Sequence, residues 1–209
     1  TCAASLRAAR PAPAITDLTL CDGATPSPCA PVDDPARACG DSAGPFWELQ
    51  GRLAVPNYQA GTLPYERPSD GGAIAVDGAG EPMAQADLAV CFAMTIPKGT
   101  MPAGGWPVVV HAHGTGGTYR AAIADGIAAR LAGAATPMAT FTFDGVAHGE
   151  RRGTSARTPD SLMFNIVNPR AARDNNLQGA VDVLTALRLG DVAAQTAPMV
   201  GGFRFDAAR

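Results

Sequence analysis

Residues 106–133, WPVVVHAHGTGGTYRAAIADGIAARLAG, constrain the fold more than any other stretch. Val108, Val109 and Val110 make a short, continuously apolar run, the pattern of a strand buried on both faces of a parallel sheet. The run breaks into a glycine-rich loop, His113 to Gly117. A helical pattern follows, with Thr118 at the N-cap position, Ile123, Ile127 and Leu131 recurring every four residues, and Gly133 as C-cap. PMATFTFD predicts a second buried strand, and GVAHGERRGTSARTPDSLMFNIV a long irregular connection. NPRAARDNNLQGAVDVLTALRLG predicts a second helix. Asn168 caps it, Pro169 suits its first turn, Leu177, Val181, Leu184 and Leu187 line one face, and Gly190 ends it. Upstream, WELQGRLAV predicts a short strand that stops at Pro56, and AIAV and MAQADLAVCFAMTI two strands around an Asp77-Gly78 turn. Antiparallel strands followed by strand, helix, strand, helix predict an α/β fold with a mostly parallel sheet and flanking helices. Chemistry in such sheets sits at the C-terminal ends of the strands. Two loops leave those ends: HGTGG, and DGVAHGERRG.

In the first loop, the glycines let backbone N–H groups approach a ligand closely, and a following helix start favours negative charge. Donors so placed make an oxyanion hole for acyl transfer; a tight strand-to-helix turn needs the same glycines for geometry alone. His111 and His113 are two residues apart, the spacing at which strand residues share a face and begin a metal site. No Asp or His follows among Gly114, Thr115 and Gly116, and His148 is the remaining histidine, so a metal centre is poorly supplied.

Residues 1–45 show no periodicity and carry Cys2, Cys21, Cys29 and Cys39 among several prolines, so they predict a surface extension; residues 46–209 make the folded domain. Disulfides stapling that extension point to an oxidising location, secreted, periplasmic or at the cell surface, whereas unpaired thiols are the alternative. Five cysteines leave one over. A lipid anchor at Cys2 is a poor match, with Thr1 before it. A hydrophobic content of 46% supports a packed core, and a net charge of -3 without a basic stripe excludes nucleic acid as partner. No apolar run approaches the ~20 residues that span a bilayer.

VVVHAHGTGG, FTFDGVAHGERRG and NPRAARDNNLQGAVDVLTALR together resemble the N-terminal half of a secreted bacterial α/β-hydrolase of the extracellular lipase and esterase type. WELQGRLAVPNY through LAVCFAMTIPKGTMPAGGWP is similar to the antiparallel strands before the oxyanion loop of those proteins, so the resemblance spans residues 46–209. It implies a serine ester hydrolase that needs no cofactor, acting on a small-molecule or polymeric ester. It implies an oxyanion-hole N–H at Thr115, with Gly116 beside it. His113, Gly114 and Gly117 then border the substrate, as do Asp144 and His148 in the second loop, His148 being structural rather than the base. Asn168, Arg173 and Asp174 match an architectural helix start. Arg151, Arg152 and Arg157 fit a solvated loop better than an anionic substrate.

GDSAG, residues 40–44, fits the G-x-S-x-G pattern of a serine nucleophile. Ser42 nevertheless precedes the oxyanion loop, where that fold places its serine after it. It follows CAPVDDPARACG, which cannot be a buried strand, and Pro45 comes soon after. The match is a coincidence. The resemblance then implies that serine, acid and histidine lie beyond Arg209, on a second polypeptide that is most simply the C-terminal remainder of the same precursor. The rival readings are a non-catalytic surface binding or structural module, and a metal-dependent hydrolase using His111 and His113.

Overall fold

The computed structural model describes residues 12–29, 34–41 and 43–206. Its spine is two long strands, β2 (Phe46–Asn57) and β5 (Ala86–Pro97), paired antiparallel from Phe46 opposite Pro97 to Asn57 opposite Ala86. Strand alternation gives this ribbon two unlike faces. Leu49, Leu53, Phe92, Met94 and, on the neighbouring strand, Phe141 turn to one side and fill the main core. Gly51 sits opposite Phe92, and a Cβ there would come within 2.9 Å of that ring, so the glycine makes room for it. Glu48, Gln50, Ala93 and Thr95 turn to the other side and are buried beneath the N-terminal segment and the helices after β6.

β1 (Ile15–Leu20) adds antiparallel to the outer edge of β2. β7 (Ala139–Phe143) pairs antiparallel with β5, and β6 (Val108–His111) pairs parallel with β7. The five-stranded order is β1-β2-β5-β7-β6. Three of its four pairings are antiparallel, and the chain is 23% helical. This corrects the expected α/β architecture, the N-terminal half of an α/β-hydrolase with a mostly parallel sheet. The physical reason lies in β6 and the helix after it. An apolar run reports burial but not strand direction. Val108 to His111 are only half buried because β6 is the sheet's edge, not a central strand. The helical pattern after it breaks at Gly126 (φ 71°) into two short helices, α1 (Ala121–Ala124) and α2 (Ile127–Ala132).

A small two-stranded sheet, β3 (Gln59–Gly61) with β4 (Gly71–Ile74), lies apart. β4 does not pair with β5; Val76 and Pro82 form a lone bridge around the Asp77 turn instead. After α3 (Pro159–Met163) and the long α4 (Pro169–Ala186), a hairpin of β8 (Gln195–Ala197) and β9 (Gly201–Phe203) brings Phe205 beside Trp106 in a parallel bridge. β2 runs through Pro56 rather than stopping at it.

The segment expected to be irregular contributes β1 and two disulfides. Cys21–Cys39 closes a loop within it, and Cys29–Cys91 ties it to β5. Cys2, Ser42 and Arg209 lie outside the described residues. Among the described residues, no helix is long and apolar enough to cross a membrane.

Candidate functional site: a cleft between two laced loops

Because β6 and β7 run parallel, with His111 opposite Thr142, the loops that leave them emerge side by side. Each loop carries a histidine, and the two rings meet edge to face with centroids 4.7 Å apart. The bonding is reciprocal. The Gly116 N–H of the first loop donates to Nε2 of His148 in the second (2.8 Å), and the Gly145 N–H of the second donates to Nε2 of His113 in the first (3.2 Å). Each ring must therefore carry its proton on Nδ1. That proton goes to a carbonyl of its own loop, Gly114 for His113 and Val146 for His148, both at 2.8 Å. Burial holds the His148 pKa below its ordinary value. The Val146 carbonyl opposes this shift and the charge of His113 adds to it. His148 is thus a neutral acceptor that fixes the glycine-rich loop.

A second anchor lies beneath. Asp144, buried at the end of β7, accepts both guanidinium nitrogens of Arg37 (3.1 and 2.7 Å) and the Tyr119 N–H (3.1 Å). Arg37 comes from the N-terminal segment and lies over the Tyr119 ring at 4.6 Å. Burial pulls its pKa down, but the bidentate carboxylate outweighs that and the net direction is up. Gly149 (φ 51°) is required here, since a Cβ would stand 1.9 Å from an Asp144 oxygen.

Between the loops and α4 opens a cleft of about 290 Å³, walled mainly by Ala112, Phe143, Val146, Met163, Ala180 and Val183. His113, Thr115 and His148 stand at its polar side, with Asn176 and Asp182 on α4. Asp182 is fully buried and pairs with the equally buried Arg151, while the Gln178 amide donates to its other oxygen at 2.8 Å. Burial pushes its carboxyl up, against the pull of Arg151 and Gln178. Gln178 also accepts from the Tyr58 N–H and donates to the Pro56 carbonyl, so it docks α4 onto the end of β2.

The residues singled out from the sequence fall into three groups. Thr115 is exposed at the cleft, and among the described residues nothing accepts from its N–H. The Gly116 N–H is already taken by His148, so one donor of the expected pair is committed to structure. Gly114 supplies a carbonyl to His113 and to the Gly117 N–H, and Gly117 packs against the His113 ring. Asp144 faces Arg37 and Tyr119, not the cleft. His111 ends β6, while His113 lies in the loop with both ring nitrogens engaged by backbone, so the two do not form a paired ligand set. Among the described residues, no three His, Cys, Asp or Glu side chains are grouped to hold a metal ion. Asn168 caps α4 as expected, accepting from the Ala171 N–H at 3.4 Å, and Arg173 pairs with Asp174.

Sequence reading missed Arg37, Gln178 and Asp182, and it placed Arg151 in a solvated loop, whereas the side chain is buried against the Asp182 carboxylate. One signal was present: Asp174, Gln178 and Asp182 recur every four residues, a polar helix face. No protein-family model matches the chain, and no curated protein or solved structure matches it.

Proposed function

We propose that the cleft is the acyl-transfer site of a serine ester hydrolase, to which this chain contributes the oxyanion donor and an apolar pocket wall. The observation that carries the reading is the Thr115 N–H, exposed and unbonded among the described residues, beside a neighbour whose N–H is locked by His148. A donor fixed before the reaction costs no reorganisation when charge develops. The apolar wall accepts an acyl chain.

No serine or cysteine among the described residues lines the cleft, so in this reading the nucleophile, acid and base come from outside those residues. The serine oxygen attacks the ester carbonyl carbon and its proton passes to the histidine base. The carbonyl oxygen becomes an oxyanion bonded to the Thr115 N–H. Collapse expels the alcohol, which takes the proton, and water releases the acid from the acyl-serine in a second round. His148 is not that base: its Nδ1 proton is held by Val146 and its Nε2 by Gly116. The two disulfides accord with a secreted or cell-surface setting.

Replacing Thr115 by Pro deletes the N–H and by Ala keeps it. In the full-length native protein, Thr115→Pro is expected to lower aryl-ester turnover by about 10²–10³-fold, with Thr115→Ala close to wild type. Equal activity in the two variants would refute the assignment. That no serine or cysteine among the described residues lines the cleft favours a second reading, a non-catalytic binding module, which predicts no turnover in any form.

A further inference from the structure

Directly after Met163, which lines the cleft, the α3–α4 connection exposes three apolar side chains: Phe164 (60%), Ile166 (88%) and Val167 (56%). Their exposure is built in by the residues between them. Asn165 is fully buried, donates to the carbonyls of Tyr65 (3.1 Å) and Glu66 (2.9 Å), and accepts from the Val167 N–H and the Arg157 guanidinium. Asn168 is buried too and donates to the carbonyls of Tyr65, Arg67 and Gly71. Two asparagines pulled inward hold the apolar tips outward. Burying the tips by local rearrangement would leave this network unpaired.

Two arginines rim the tips. Arg67 lies alongside through its carbonyl bond to Asn168, and Arg170 is three residues past Val167. Both are exposed, and neither guanidinium has a carboxylate partner among the described residues. The nearby carboxylates bond N–H and hydroxyl groups rather than either guanidinium: Asp70 the Arg67 backbone N–H and Ser69, Glu66 the Ser155 hydroxyl, and Asp160 Thr158 at the start of α3.

We propose that Phe164, Ile166 and Val167 dock the protein on an anionic lipid surface, with Arg67 and Arg170 meeting the headgroup phosphates. Three exposed apolar side chains within four residues suit a deformable apolar phase better than a folded partner, whose interface needs roughly 1,200–2,000 Å² of matched area. Basic side chains at such a boundary add attraction to anionic lipid. Docking here would bring Met163, and with it one wall of the cleft, close to the lipid, whatever chemistry the cleft performs.

The test is flotation of the full chain with phosphatidylcholine vesicles, with and without phosphatidylglycerol. The wild type should float with the anionic vesicles. Ile166→Asp should weaken that binding at least about tenfold, the loss of one buried isoleucine. Arg67→Gln and Arg170→Gln should each weaken it roughly fivefold, on anionic vesicles only. Ile166 is exposed, so an unchanged melting curve is expected for its variant. Three outcomes would overturn the proposal: a wild type that floats with neither vesicle, Ile166→Asp binding like wild type, or a wild-type dimer in sedimentation that Ile166→Asp dissolves.

Discussion

His148 shows how one side chain can fix a loop without touching substrate. Neutral, it accepts from the Gly116 N–H and donates to the Val146 carbonyl; protonated, it loses the acceptor. The unfolded imidazole titrates near 6.5 and the folded one lower, mainly because of burial. The unfolded chain therefore binds the proton first, and stability falls as pH drops from 6.5 toward the folded value. Glutamine cannot protonate, yet offers an acceptor to Gly116. Denaturant melts on either side of that pH should show a wild-type loss that His148→Gln lacks. An identical pH slope in both proteins would show that His148 does not latch the loops.

At the scale of the element, α4 is the informative case. Its apolar stripe, legible in the sequence, is not its buried face: Leu177 and Leu187 are 53% and 54% exposed, while Asp174, Asn175, Gln178 and Asp182 are buried. The helix docks through hydrogen bonds and one ion pair, with the small or partly buried Ala171, Val183 and Ala186 as its apolar contacts. Arg151→Met should therefore cost about 3–5 kcal/mol, because it leaves Asp182 buried and uncompensated. The double change Arg151→Met with Asp182→Leu should recover most of that loss in urea unfolding. A double variant as unstable as the single would mean that the pair is not what holds the helix. The same element explains what was legible. The Asn168 cap, the Pro169 start and the existence of β2, β5, β6 and β7 follow from local chemistry that the chain states directly. Strand direction, the edge position of β6 and the outward turn of the leucines depend on which elements meet, which periodicity does not encode. The His113–His148 lacing was equally hidden, since the two residues are 35 positions apart and meet only because β6 and β7 are parallel neighbours.

Across the whole molecule, the N-terminal segment is part of the site's support rather than an appendage. It adds β1 to the sheet, sends Arg37 under the second loop to Asp144, and is tied to β5 by Cys29–Cys91. That bridge closes a sequence separation of 62 residues, a constraint worth about 4 kcal/mol in the chain-entropy account. The cleft so supported presents the Thr115 N–H and an apolar wall, and among the described residues no serine or cysteine lines it. The most direct test of the acyl-transfer role proposed for it is fluorophosphonate labelling of the native-source protein, read by denaturing gel and intact mass. Label is expected on a serine outside residues 1–209, with these residues unlabelled. Label within residues 1–209, which would return Ser42 to consideration, or no label at all, would contradict the proposal.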